Sequence, residues 1–196
     1  MAKGRPRNFD PEQAVAAVLP IFMEKGFEGA TFGELIAAMG INPPSFYAAF
    51  GSKEQLFRRV IDVYANAGEA VVKDALEQPT AFGAIERLLR NSAEAQTDPS
   101  RPAGCLFVQG ALKCSDKASD IRAELAVRRV MAVPMIRDRL RHAQEAGDES
   151  IKGDPSKVAR YVSTVIQGLA VQAASGVGRD ALHEIVDVVL HGIKGP

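Results

Sequence analysis

Apolar residues recur along this chain at helical spacing almost from end to end, and strand-like alternation is nearly absent. Val15, Val18, Leu19 and Phe22 stand at i, i+3, i+4 and i+7, the period of one helix face. Pro20 removes a ladder bond inside that segment and predicts a bend; Gly26 then stops the helix. Thr31 and Glu34 form a capping box ahead of a second stripe, Phe32, Leu35, Ile36 and Met39, which Gly40 closes. Ser52 with Gln55 makes another capping box before a fourth helix carrying Leu56, Phe57, Val60, Ile61 and Tyr64. Further helices are expected over 80–95, 104–114, 118–146 with a kink at Pro134, 156–175 and 180–194. TDPSRPAG and GDESIKGDPS read as loops by composition. The expected fold class is all-α, with nine helices.

Between the second and fourth helices lies GINPPSFYAAFGSK, residues 40–53. A three-residue turn containing glycine between two short helices is the helix-turn-helix pattern. The third helix is under two turns long and would be unstable alone, so Ile41, Phe46 and Phe50 are expected to point inward. Pro43 and Pro44 fit its first turn, where backbone N–H groups lack intrahelical partners. Asn42 is expected to cap it through the N–H of Ser45. Pro44 disfavours a helical Pro43, so the start could fall one residue later.

The chain has 196 residues, with 24 basic and 24 acidic side chains and no net charge. Charge balance alone therefore predicts no polyanion partner. Residues 1–8 differ: Lys3, Arg5 and Arg7 are there without an acid, so 1–8 reads as a basic N-terminal arm. Its Gly-Arg-Pro is similar to the core of an AT-hook, and arginine beside a stiff proline suits a narrow minor groove. Two cysteines are too few for a disulfide scaffold. With no secretory leader pattern and no long apolar run, a cytoplasmic protein is expected.

The segment EKGFEGATFGELIAAMGINPPSFYAAFGSKEQLF, residues 24–57, resembles the DNA-binding domain of the TetR family of transcriptional repressors. Gly26-Phe27, Thr31, the Gly40 turn, Phe46-Tyr47, Phe50, Ser52-Lys53-Glu54 and Leu56-Phe57 carry the likeness. Pro44 and Ala49 depart from it, standing where many members have glycine and a histidine or tyrosine. The resemblance implies a helix-turn-helix DNA-binding domain over 9–66 and a ligand-binding and dimerisation domain over 67–196. It places helix three in the major groove, with Pro43, Pro44, Ser45, Ala48 and Ala49 outward and the cap Asn42 as a further DNA-binding candidate. None of those five is Arg, Lys, Asn or Gln, so the helix would read thymine methyls and use the Ser45 hydroxyl. Tyr47 and Lys53 match positions that contact phosphate in the family, Thr31 is a third candidate, and Arg5 and Arg7 would enter the minor groove.

In the C-terminal half, Val158, Tyr161, Val162, Val165, Ile166 and Leu169 share one stripe. Leu182, Ile185, Val186, Val189, Leu190 and Ile193 share another. Both are broad enough to need more than one partner helix. The resemblance implies a two-fold interface between these helices, with Val158, Tyr161, Val162, Val165, Leu169, Leu182, Ile185, Val186 and Val189 as candidates; the alternative is an ordinary monomer core. A small-molecule effector would sit among helices five to seven, near Phe82, Phe107, Met131, Met135 and Gln167. The effector itself is not named by the sequence.

Cys105 and Cys114, if on one helix, lie on opposite faces about 13 Å apart along the axis, beyond the roughly 7 Å a disulfide spans. They read as buried structural cysteines. His183, Asp187 and His191 share a helix face, but two turns separate the outer pair and no fourth ligand is evident; no metal and no cofactor are expected. The reading is a homodimeric repressor on a palindromic double-stranded operator, released by a small molecule. The alternatives are a ligand-independent or activating regulator and an enzyme built on a helical bundle, for which no nucleophile–base pair stands out.

Overall fold

The computed structural model describes residues 10–195 and is all-helical, with no β-strand among them. The α-helices are α1 Pro11–Gly29, α2 Phe32–Met39, α3 Pro43–Phe50, α4 Lys53–Leu76, α5 Ala81–Gln96, α6 Leu106–Leu112, α7 Ser119–Arg129, α8 Ala132–Glu145, α9 Pro155–Ala174 and α10 Arg179–Ile193. A 3-10 turn, Asp116–Ala118, precedes α7. The expected long helix over 118–146 is α7 and α8, broken at Val130 and Met131. Counted across that break, the described α-helices number nine. Pro134 explains where the break falls. It has no N–H for the carbonyl of Val130 four residues earlier, and that carbonyl accepts from Val133 instead, at 3.0 Å.

Local signals hold elsewhere. Asp10 caps α1 through the Glu12 N–H at 2.9 Å. Within α1 the backbone leaves helical dihedrals at Gly26, where φ is +71°, and not at Pro20. Thr31 and Glu34 form the complete capping box of α2, and Gly40 ends that helix at φ +64°. Ser52 caps α4 through Gln55, at 3.1 Å.

Two apolar cores form. One joins α1, α2, α3 and the start of α4 to α6 and α7, through Phe22, Leu35, Phe46, Phe57, Leu106 and Leu125. The other joins the end of α4 to α5, α8, α9 and α10, through Ala75, Ile85, Leu89, Ile136, Val162 and Val186. α4 belongs to both, so the proposed boundary at residues 66 and 67 falls inside a continuous helix. α6 and α7 pack with the N-terminal helices although they follow them by some fifty residues. In the second core, Arg139 donates to the carbonyls of Leu76 at 3.0 Å and Gln78 at 2.9 Å, closing the end of α4. Asp148 and Ser150 accept from the N–H groups of Ala81 and Phe82, at 2.7 and 3.1 Å. These satisfy donors that a helix start leaves open.

Candidate functional sites: a helix-turn-helix surface and a cavity

α3 begins at Pro43, with both prolines in its first turn, and Asn42 Oδ1 accepts from the Ser45 N–H at 2.9 Å. Phe46 and Phe50 are buried and Ile41 is half-buried. Phe46 meets Phe32 of α2 edge-on, ring centroids 4.9 Å apart. This packing leaves Asn42, Pro43, Pro44 and Ala48 exposed, with Ser45 and Ala49 half-exposed. The outward face of α3 is therefore small, uncharged and largely apolar.

The expected anchors flank that face. Tyr47 is 57% exposed; its ring stacks on Phe32 at 5.5 Å, which holds the hydroxyl outward. Lys53 lies at the start of α4 with Nζ 5.0 Å over the Phe27 ring, donating to the Glu28 carbonyl at 3.3 Å. Partial burial lowers its pKa, against the pull of Glu28. Thr31 is less available. Its hydroxyl and its N–H both donate to Glu34, at 2.7 and 3.0 Å, which leaves no free donor for a phosphate. Arg5 and Arg7 lie outside the described residues.

A cavity of about 410 Å³ opens between α4, α5, α6, the α7–α8 break and α9. Four of the five expected effector residues line it: Phe107, Met131, Met135 and Gln167. Phe82 does not. It sits at the start of α5 against the other core, with Lys194 Nζ 5.7 Å from its ring centre. Helical spacing placed Phe82 near the right elements but could not say which end of α5 faced the cavity.

The sequence reading missed the polar wall, which includes Tyr64, Gln96, Arg101 and Cys105. Gln96 had a readable signal: it continues the inward stripe of α5 from Ile85, Leu89 and Ala93. Burial pushes the Tyr64 phenol well above its ordinary value; the Cys105 thiol adds to the shift and Arg101 opposes it. Cys105 precedes α6 and Cys114 follows it; both are free and half-buried, not fully buried as expected. Cys114 donates to the Gly110 carbonyl at 3.3 Å.

The cavity and the helix-turn-helix share a wall. In α6, Phe107 and Val108 face the cavity, while Leu106 and Ala111 pack into the N-terminal core. Just beyond α6, Lys113 donates to the carbonyls of Met23 and Glu24 near the end of α1. Ser115 donates to Glu28. α7 is tied to α4 by Arg58 with Glu124, at 3.2 Å, and by Arg128 with Asp62.

The last two helices correct the expected interface. Val158, Val162, Leu169, Leu182, Val186 and Val189 are buried within the chain itself, and Val165 is half-buried against the same core. The six buried ones lie on the inward faces of α9 and α10, already covered by the chain's own core, while Val165 stays partly open. Tyr161 and Ile185 are exposed, as are Val171 and Val188, the last at 74%. His183 and Asp187 turn to α5, contacting Glu94 at 3.0 Å and Arg90 at 2.8 Å. Among the described residues, no group of histidine, cysteine and acidic side chains could hold a metal ion, and no helix is long and apolar enough to cross a membrane.

Residues 15–60 match the family model for "Bacterial regulatory proteins, tetR family". The HTH-type transcriptional repressor BdcR of Escherichia coli (strain K12) is 34% identical over 176 residues, 88% of this chain and 83% of that protein. ComR, another HTH-type transcriptional repressor of the same strain, is 28% identical over 96% of this chain and 91% of its own. Among solved structures, a cysteine-substituted CifR, a TetR family transcriptional regulator complexed with 26-base-pair operator DNA, superposes with a TM-score of 0.91. It is 35% identical, with 97% of this chain and all of that one covered. Helix-turn-helix, cavity-bearing helical bundle and whole-chain likeness agree: the chain belongs to the TetR family, whose members are DNA-binding transcriptional regulators.

Proposed function

We propose that the chain is a sequence-specific transcriptional repressor that binds a palindromic operator as a homodimer and releases it when a small molecule fills the cavity. The observation that carries this reading is the shared wall. α6 lines the cavity on one side and packs on the other into the core that holds α3. A ligand that prefers one arrangement of α6 can thereby bias the placement of the reading helix, provided its affinity for the two arrangements differs.

On DNA, α3 would enter the major groove with Pro43, Pro44, Ser45 and Ala48 against base edges and Asn42 beside them. Tyr47 and Lys53 would hold phosphates, and Arg5 and Arg7 would reach the adjacent minor groove. CifR, similar over the whole chain, is described as bound to operator DNA in this fold, which supports the reading. The two copies would meet through the outward faces of α9 and α10. Tyr161, Thr164, Gly168 and Val171 repeat at i, i+3, i+7 and i+10, and Ala181, Ile185, Val188 and Gly192 at i, i+4, i+7 and i+11; all eight are exposed. Two reading helices must then match successive major grooves, about 34 Å apart. Residues 9–66 serve as the DNA-binding domain and 67–196 as the effector and dimer domain, with α6 and α7 as the part of the latter that touches the former. The relatives are regulators, which favours this over an enzyme on a helical bundle.

A mobility-shift assay with the full chain and the DNA upstream of its own gene tests the proposal. A discrete complex that competes away only with the same sequence is expected. Binding that any duplex competes away equally would overturn it.

A further inference from the structure

The cavity opens on one side, and its charge is one-sided too. Its exposed lining residues are Ala67, Gly68 and Val71 of α4 and Met131 at the α7–α8 break. The mouth therefore lies between α4 and that break. Leu88, Val108 and Ala170, all buried, line the interior away from it. An apolar body fits there, and a polar head group stays at the mouth.

Three arginines line the cavity, Arg101, Arg128 and Arg129, against a single carboxylate, Glu69. Glu69 is already held by Lys73 at 2.7 Å. Arg128 pairs with Asp62 and Glu124. Arg101 donates to the Ala95 carbonyl and has Asp98 3.8 Å away. Arg129 differs. It ends α7, two residues before Met131, and is half-buried. Among the described residues its guanidinium has no hydrogen-bond or ion-pair partner. A cleft lined by one sign of charge concentrates ligands of the other, and a guanidinium matches a carboxylate with two parallel hydrogen bonds. An ammonium would meet like charge, with the one lining carboxylate already engaged. A neutral head group would gain no charge pairing from Arg129.

We propose that the effector is an amphipathic monocarboxylate, its carboxylate paired with Arg129 at the mouth and its hydrocarbon body inside, against Leu88, Val108 and Met135. This rests on the reading of the cavity as the effector site.

The test is calorimetric titration of the full chain with three probes of one chain length: octanoate, octan-1-ol and octylammonium. Octanoate is expected to bind tightest, roughly fivefold tighter than the alcohol, as suits a pair that water still reaches. Raising the salt from about 0.05 to about 0.5 M is expected to weaken octanoate and leave the alcohol unchanged. The Met135 methyl resonance is expected to shift with both. Arg129→Gln keeps a polar side chain and removes the charge; it is expected to bring octanoate down to the alcohol's affinity and to leave the alcohol within about twofold. If that variant does not fold, the salt series on the wild type still decides. Equal binding of octanoate and octanol, or tightest binding by octylammonium, with Met135 shifting, would overturn the carboxylate assignment and leave the cavity reading standing. An octanoate preference that survives Arg129→Gln would overturn the role of Arg129. Binding by no probe, or binding that leaves Met135 unmoved, would overturn the cavity reading and the assignment with it.

Discussion

Ser115 closes on Glu28 with two hydrogen bonds, its N–H 2.6 Å and its hydroxyl 2.7 Å from the two carboxylate oxygens. The carbonyl of the same Glu28 accepts from Lys53. One residue thereby joins the segment after the cavity-lining α6 to a proposed phosphate anchor. Glu28→Gln is expected to leave operator affinity without effector nearly unchanged and to raise the effector concentration for half release about fivefold, the low end of common coupling strengths. Operator titrations at graded effector check this.

The same joint has a pH dependence with a fixed sign. The Ser115 N–H, then its hydroxyl, hold the Glu28 carboxyl below its ordinary value of 4.5. A depressed carboxyl keeps its bonds above that ordinary value and loses them as pH falls through the lowered one. Hydrogen exchange at the Ser115 amide, corrected for its intrinsic pH dependence, is expected to lose protection only below about pH 4.5 in the wild type. In Glu28→Gln it should be weak at every pH.

Gly26→Ala strains the break in α1. φ there is +71°, and Lys113 Cβ lies 3.0 Å from where the new methyl would stand. With ψ at −179° this is backbone that essentially only glycine adopts, at a cost of about 1–3 kcal/mol for other residues, so the thermal midpoint is expected to fall by about 2–12 °C. Scanning calorimetry at fixed protein concentration reads it.

Asn42→Ala removes the side chain that receives the first amide donor of α3. A lost cap costs about 1 kcal/mol. Because α3 is so short, operator affinity is expected to fall several-fold along with stability, and Asn42→Asp should restore most of the stability.

Lys53→Ala and Tyr47→Phe are expected to weaken binding to all duplexes alike, since phosphates carry no sequence. For Lys53→Ala, one charge per subunit and two per dimer flatten the log-affinity against log-salt slope by about 1.8. A changed base preference at unchanged slope would remove Lys53 from the phosphate role.

Val188→Asp and Val162→Asp separate the two faces of the last helices. The first places a charge on an exposed stripe and is expected to yield folded monomers in sedimentation velocity. The second buries a charge at a fully buried position and is expected to unfold the chain.

How much of this was legible depended on range. The caps at Thr31, Asn42 and Ser52 were readable because donor and acceptor lie within three residues of each other. So were the interruptions at Gly26 and Gly40, because glycine is where a helix most readily stops. Phe46 and Phe50 were readable because a helix so short has to bury something. The seventh helix was misjudged because Pro134 acts on a carbonyl four residues upstream, so the break precedes it. The stripes of α9 and α10 are apolar on two sides, and spacing cannot say which side meets the chain's own core: Val162 and Tyr161 are neighbours, one buried and the other exposed. The pairing of α6 and α7 with α1, and with it Ser115 with Glu28 across 87 residues, is tertiary and leaves no local trace.

The first turn of α3 has a consequence for how such a protein changes its target. Its stability comes from two prolines, one asparagine cap and aromatic rings on its hidden side. Ser45 contributes only its backbone N–H and Ala48 is exposed, so these two side chains hold up little of the fold. At Pro43, Pro44 and Asn42 the lettering and the scaffold are the same residues. A lineage can rewrite Ser45 and Ala48, and with them part of the operator it recognises, at little risk of losing the helix, whereas a new letter at the other three also changes what holds the helix.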